Sequence, residues 1–448
     1  MTIVSWCVVA LTIASGTLLA SPVQDEAPPG SDDGAPRGTY SANGDPRLGT
    51  LIEVALARNT EILGSTADYR AAQTRVAQVG TFPDPVVGIT QSLWSPETRV
   101  GPVGTVLSFS QQVPWFGKRD DDEAIVASEA EAARYVHGAA EAEVVRRLKV
   151  AYYDLAFLDR AIDITEEDRE LLGHYETLAQ ARYAQGVGLQ QAVLKLQAEL
   201  TRSIDRLATL RQRRSDAAAI LNTLLDRPPD LPVEPVASTV VLNAALFWER
   251  LYTMGRENRP EVNAALRRID ARETGVTAAE RRYLPDVTFG AGVSLIGNRN
   301  DPAGIVNPPP DNGKNAITLS LGLSLPLFRD KYDASTAEAA ERLVAARQRH
   351  RGAINQVEVE IRSHGTRLQT LRDQLALFTD LLLPQAQQTL ASSEAAYSTG
   401  TIGVLDLLDS ERVLFDVQVG LAQLRSDYMK TLADLERAVG TAFPEVTP

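Results

Sequence analysis

The chain has 448 residues, 44% of them hydrophobic and 23% charged, with a formal net charge of −13. That balance excludes wholesale disorder and a polytopic helical membrane protein, and its sign argues against a nucleic-acid partner, which needs a basic stripe. An acidic chain can pass cations, although most acidic proteins are simply soluble.

A single cysteine, Cys7, leaves no intrachain disulfide. His137, His174, His350 and His364 share no ligand spacing, so no metal site and no cofactor are expected.

Met1 to Ala20 run apolar, and Leu18 and Ala20 suit the cleavage pattern of a secretory signal. The first basic residue is Arg37, so the usual positive start is missing. Residues 1–20 therefore read as a cleaved signal peptide or as a retained anchor. No other long apolar run exists, so any further membrane contact must use strands. Residues 21–47, rich in Pro, Gly, Asp and Ser, read as a flexible mature N-terminus. A helix is then predicted from Leu48 to about Gly80.

The period next changes to two. Val87, Ile89 and Leu93 alternate with small or polar residues, and so do Leu107 and Phe109, giving a first hairpin over residues 86–113. Gly101-Pro102-Val103-Gly104 reads as its loop. From Pro114 to Pro228 there is no internal proline, and Ala, Glu, Leu, Gln and Arg abound. Two long helices are predicted over 118–226, separated at Gly186-Val187-Gly188. The first would be roughly 100 Å long, far beyond what compact domains use, so it needs partner helices along its length. A Pro-rich linker, short helices to Arg259-Pro260 and a helix to about Tyr283 follow.

The pattern then repeats. Tyr283-Leu284-Pro285-Asp286 answers Thr81-Phe82-Pro83-Asp84, and Pro326-Leu327-Phe328 answers Pro114-Trp115-Phe116. Between them lie alternating strands around a Pro/Asn/Gly-rich loop, Gly297 to Asn315, forming a second hairpin over 286–325. A second helical hairpin spans 330–439, with Tyr397-Ser398-Thr399-Gly400 answering Tyr183-Ala184-Gln185-Gly186. Pro384 should kink its first arm. The chain thus divides into repeats at 48–235 and 236–441. Each hairpin has one face of Leu, Ile, Val and Phe and one of Ser, Thr and Gly, as a membrane barrel requires. One chain supplies only four such strands and cannot close a barrel, and open edges are not tolerated in lipid, so the chain must oligomerise if these strands span a membrane. The alternative packs both hairpins on a soluble core.

Gln111-Gln112-Val113-Pro114-Trp115-Phe116-Gly117-Lys118-Arg119, Leu325-Pro326-Leu327-Phe328, Leu382-Leu383-Pro384-Gln385-Ala386 and Tyr397-Ser398-Thr399-Gly400-Thr401 occur in an order that resembles TolC-like outer-membrane efflux proteins, nearest to the heavy-metal efflux type. The resemblance covers about residues 48 to 441. It implies a mainly α chain with membrane β-hairpins, internally duplicated, that forms a homotrimer with a 12-stranded β-barrel in outer-membrane lipid and a 12-helix α-barrel across the periplasm. It further implies a periplasmic adaptor protein and an inner-membrane efflux pump as partners, and a passive conduit for exported small molecules or metal ions.

By the same resemblance the adaptor-contacting tips are Gly186, Val187, Gly188 and Leu189, and Gly400, Thr401, Ile402 and Gly403. The periplasmic gate falls on Asp406, Asp409 and Tyr397. Three chains would form rings of like charge that favour cations and repel one another. Two positions depart from the family: Ile402 stands where a basic gate partner is expected, and Ala192 is the first-half counterpart of Asp406, so closure would rest on packing. The alternative for Asp406 and Asp409 is acids placed early in a helix by its dipole. Competing functions are a secreted structural coiled coil without a pore, a periplasmic adaptor, and an enzyme, for which no nucleophile elbow or phosphate loop is present.

Overall fold

The computed structural model describes residues 40–236 and 246–442. The expected signal or anchor at 1–20, and most of the expected flexible stretch at 21–47, lie outside the described residues.

Helix α1 spans Pro46–Arg58 and α2 Thr60–Val79. Asp45 caps α1 by accepting from the N–H groups of Arg47 and Leu48, with Pro46 in the first turn. The single helix predicted here is broken at Asn59. That residue leaves helical geometry (φ −60°, ψ 126°), and its side chain accepts from Glu61 N at 3.0 Å and donates to Leu224 O at 2.9 Å. Asn competes with the helix for backbone hydrogen bonds, and the contact with Leu224 fixes the break. Arg259 marks a matching break in the second half, with the same extended backbone but no side-chain cap, ending α5 (Trp248–Asn258) and starting α6 (Pro260–Arg281).

Strands β1 (Val86–Gln91), β2 (Glu97–Thr98) and β3 (Gly101–Val113) follow α2, and β4 (Asp286–Ile296) and β5 (Ala316–Ser324) follow α6. Gly101 to Gly104, read as loop, belongs to β3, and its Gly101 and Pro102 pair with β2. Gly101 has φ +122°, and a Cβ there would fall 1.8 Å from Gly297 O, so only glycine lets the two loops meet. The loop read as irregular from Gly297 to Asn315 contains a short helix, α7 (Pro302–Val306), capped by Asp301 accepting from Gly304 N at 3.2 Å.

The long helices are α3 (Lys118–Ala184) and α4 (Gln190–Leu224) in the first half. In the second they are α8 (Arg329–Leu377), α9 (Leu383–Thr399) and α10 (Val404–Val439). Between α8 and α9 lies a π-helical turn, Phe378–Leu382. It is the form taken by the irregularity expected at Pro384, whose missing N–H cannot continue the α ladder.

The main core lies where α1, α3, α4, α8 and α10 come together, around Leu48, Leu148, Tyr153, Leu221, Ile361 and Leu435. Within it Lys149 and Glu436 form an ion pair with side chains 3% and 8% exposed. Such a pair contributes less to stability than its removal by halves would cost. Among the described residues no helix is long and apolar enough to cross a membrane.

Candidate functional site: an unbacked sheet and two matched helical tips

The sheet runs β1-β3-β4-β5, all antiparallel, with β2 added to β3. Register carries the alternation across the sheet. Ile89, Leu107, Val293 and Ile317 form one row, and Val87, Phe109, Ala291 and Leu319 the next. The other face carries Gly88, Ser108, Gly292 and Thr318, then Ser110, Gly290 and Ser320. That face is crowded: a Cβ on Gly290 would lie 2.2 Å from Ser320 Oγ.

Among the described residues nothing covers the apolar face. Leu319 is 86% exposed and Ile317 78%, and every residue of β5 is exposed. The reading in which these strands pack on a soluble core is therefore overturned. Among the described residues, strands β1 and β5 each lack a neighbour on one side, which leaves backbone donors and acceptors open for another chain. An exposed apolar sheet face with two free edges suits lipid and strand-to-strand closure with copies of itself.

The tips lie where α3 turns into α4 and α9 into α10, and the two turns use one hydrogen-bond scheme. Gly186 N donates to Tyr183 O at 2.9 Å and Val187 N to Arg182 O at 3.1 Å. Gly400 N donates to Tyr397 O at 3.0 Å and Thr401 N to Ala396 O at 2.9 Å. Both are Schellman closures, with glycine at the left-handed position: φ is +73° at Gly186 and +79° at Gly400. At the first tip Val187 and Leu189 are exposed and Gly188 is half-buried; at the second Thr401 and Gly403 are exposed and Ile402 is half-buried.

A second core lies directly behind the tips, built from Leu172, Tyr175, Leu196, Leu390, Tyr397, Val404 and Leu407, with Ala192 and Ile402 packed against it. Tyr397 is thus a core residue. Asp406 and Asp409 are exposed, one helical turn apart on the solvent side of α10. Asp406 Oδ2 accepts from Gly403 N at 3.2 Å, which is half of a capping box, since Gly403 has no side chain to reciprocate. The three expected gate residues therefore separate into a buried tyrosine and an exposed acid pair.

Two features escaped the sequence reading. The first is Arg182, near the end of α3. Its guanidinium lies over the Tyr397 ring, 4.5 Å from the centroid, and it donates to Ser398 O at 2.7 Å. Arg182 answers Ala396 in the repeat, and that mismatch was the available signal. The second is a carboxyl pair deeper in the bundle: Asp168 of α3 and Glu411 of α10 are both buried and face each other between two small cores, Leu172 with Leu407 on one side and Ile164 with Phe415 on the other. Burial, then the hydrogen bond and charge of Asp168, push the Glu411 carboxyl up to about 9. Both acids fall on apolar stripes, Ile164-Asp168-Leu172 and Leu407-Glu411-Phe415, at helical spacing.

A family model described as Outer membrane efflux protein matches residues 251–441. Nodulation protein T of Rhizobium leguminosarum bv. trifolii is 22% identical over 439 residues, covering 91% of this chain and 88% of the relative. The pyoverdine export outer membrane protein OpmQ of Pseudomonas putida is 24% identical over 442 residues, covering 91% and 89%. Among solved structures, the outer membrane protein VceC from Vibrio cholerae superposes with a TM-score of 0.75 at 23% identity, covering 91% of this chain and 100% of that one.

Proposed function

We propose that this chain, which belongs to the outer membrane efflux protein family, is the outer-membrane channel component of a tripartite efflux system. The sheet carries this reading: a four-strand array with one apolar face, one small polar face and two free edges is an unfinished barrel. Three copies would supply twelve strands, above the minimum of about eight that a bacterial barrel needs, and their helices would continue as a tunnel into the periplasm. The likeness to a protein named for pyoverdine export supports export of small molecules, and metal ions are retained as a second cargo class on the Trp115–Arg119 resemblance. The family is one of conduits rather than enzymes, so energy would come from an inner-membrane pump joined through a periplasmic adaptor.

The exposed apolar Val187 and Leu189 support the tips as adaptor contacts. Asp406 and Asp409 support a cation-favouring constriction, because their carboxylates point to solvent instead of into the bundle. Extraction of membranes with mild detergent, followed by light scattering, tests the assembly. A detergent-dependent particle of about three 48.6 kDa chains, less any cleaved signal, is expected. A water-soluble monomer with nothing in the membrane fraction would overturn the channel.

A further inference from the structure

The tip helices carry a polar lock that the channel reading does not use. Two buried carboxyl groups that face each other across α3 and α10 can bond directly only by holding one proton between them, because carboxylates only accept. Asp168 and Glu411, only 9% and 7% exposed, have little water to share the charge. Among the described residues neither makes an ion pair at salt-bridge distance. The facing groups are Tyr175 on α3, Glu199 and Arg206 on α4 and Glu394 on α9. Of these, the cation Arg206 is occupied, its guanidinium stacked 4.3 Å from the Phe415 ring centroid, and Glu394 accepts from the Tyr175 hydroxyl. Ser410, the residue before Glu411 in sequence, hydrogen-bonds to Ser393 of α9 at 2.7 Å. No three His, Cys, Asp or Glu side chains are grouped to hold a metal among the described residues, which leaves the proton as the pair's counter-charge.

We propose that Asp168 and Glu411 form a proton-held latch that keeps α10 against α3 and lets it go when the shared proton is lost. The helix released is the one that bears Asp406 and Asp409, so on the channel reading proton loss loosens the periplasmic end. The sign is fixed by the chemistry. The closed latch binds a proton that the separated, hydrated carboxylates give up, so closure is favoured at acid pH and weakens as pH rises from the ordinary carboxylate range.

Hydrogen exchange of the full-length protein in detergent, corrected for intrinsic rates and followed from pH 5.5 to 9, reads the latch in segments 160–175 and 404–418. Opening in the wild type should rise by about tenfold per pH unit across this window. Glu411→Gln and, separately, Asp168→Asn keep size and hydrogen bonding and should flatten that slope, whereas Asp406→Asn with Asp409→Asn should leave it. A flat wild-type profile would overturn the latch. So would a slope that survives both pair variants, or one lost in the Asp406/Asp409 double variant. Should one pair variant fail to fold, the other decides. Conductance in planar bilayers at pH 9, where the latch is open, separates the two proposals: conductance with a flat exchange profile removes only the latch, and a sloped profile with no conductance removes only the channel.

Discussion

Arg182 and Tyr397 join the two halves of the duplicated chain at their tips, the guanidinium lying 4.5 Å from the centre of the tyrosine ring. Arg182 also donates to Ser398 O at 2.7 Å, and its own carbonyl accepts from Val187 N and Gly188 N. One residue thus closes the first turn through its backbone and ties down the second through its side chain. A cation–π contact of this kind is worth about 0.5–1 kcal/mol at a partly exposed site, and the hydrogen bond about as much again. On the proposed trimeric channel, Arg182→Ala should therefore leave assembly intact but loosen the tips. Higher open probability in planar bilayers, with unchanged trimer yield, is the expected result. Arg182→Lys should recover only part of the effect, since it keeps the charge but loses the planar stack.

Strand β5 offers a test of which face meets lipid. Leu319 and Thr318 are neighbours in sequence, both exposed, and point to opposite sides of the sheet. Leu319→Lys should cost about 2–4 kcal/mol near the bilayer midplane and sharply reduce recovery from outer membranes. Thr318→Lys should assemble at close to normal yield and alter conductance instead. Equal yields from the two variants would count against a lipid-facing Leu319 row.

The strands were legible because alternation has only one reading when Ile317, Leu319, Leu321 and Leu323 are separated by Thr318, Ser320 and Gly322. The tips were legible because Gly186 and Gly400 each follow a tyrosine-led repeat and both need a left-handed backbone. The break at Asn59 was hidden, because a single Asn is tolerated in a helix unless something distant, here Leu224 O, fixes its side chain. Asp168 and Glu411 were hidden for a related reason. Each looks like an ordinary helix acid, and only their shared place on apolar stripes of separate helices marks them as partners. Arg182 needed the repeat to be read for its mismatch as well as for its matches.

Lys149 and Glu436 hold α3 to α10 inside the main core, and Glu436 Oε1 has no further partner. Removing one member leaves a bare charge in a region of low polarity. Lys149→Ala should lower stability by about 3–5 kcal/mol, visible as a fall in the thermal midpoint. Lys149→Met combined with Glu436→Leu should regain most of the loss, because apolar side chains of similar size remove the desolvation cost along with the attraction.

Glu261 gives the helical belt an acid limit. Its burial opposes ionisation, but the hydrogen bond and charge of Arg437, then those of Arg259, hold its carboxyl down at about 2. Arg259 Nε donates to Oε2 at 2.8 Å and Arg437 Nη1 donates to the same oxygen at 3.2 Å. A carboxyl held below its unfolded value of about 4.3 stabilises fully above that value and loses the contribution as pH falls through about 2. Glu261→Gln should therefore be less stable than the wild type at pH 7. The difference should shrink steadily between pH 4.5 and pH 2, and denaturant midpoints measured across that range check it.

Asp406 and Asp409 separate a pore function from a helix-start function. Both side chains are exposed, and Asp406 accepts from Gly403 N at 3.2 Å. Asn at position 406 keeps an acceptor for that bond while removing the charge. If the acids line a constriction in a trimer, Asp406→Asn with Asp409→Asn removes six negative charges from one narrow passage. Cation preference, read as the reversal potential in a salt gradient, should then fall towards neutrality while assembly is unchanged. If the acids only complement the helix dipole, the double variant should lose about 0.3–1 kcal/mol for each removed charge that interacts with the helix end and keep its selectivity. The two outcomes are opposite in both readouts, so one pair of measurements decides between them.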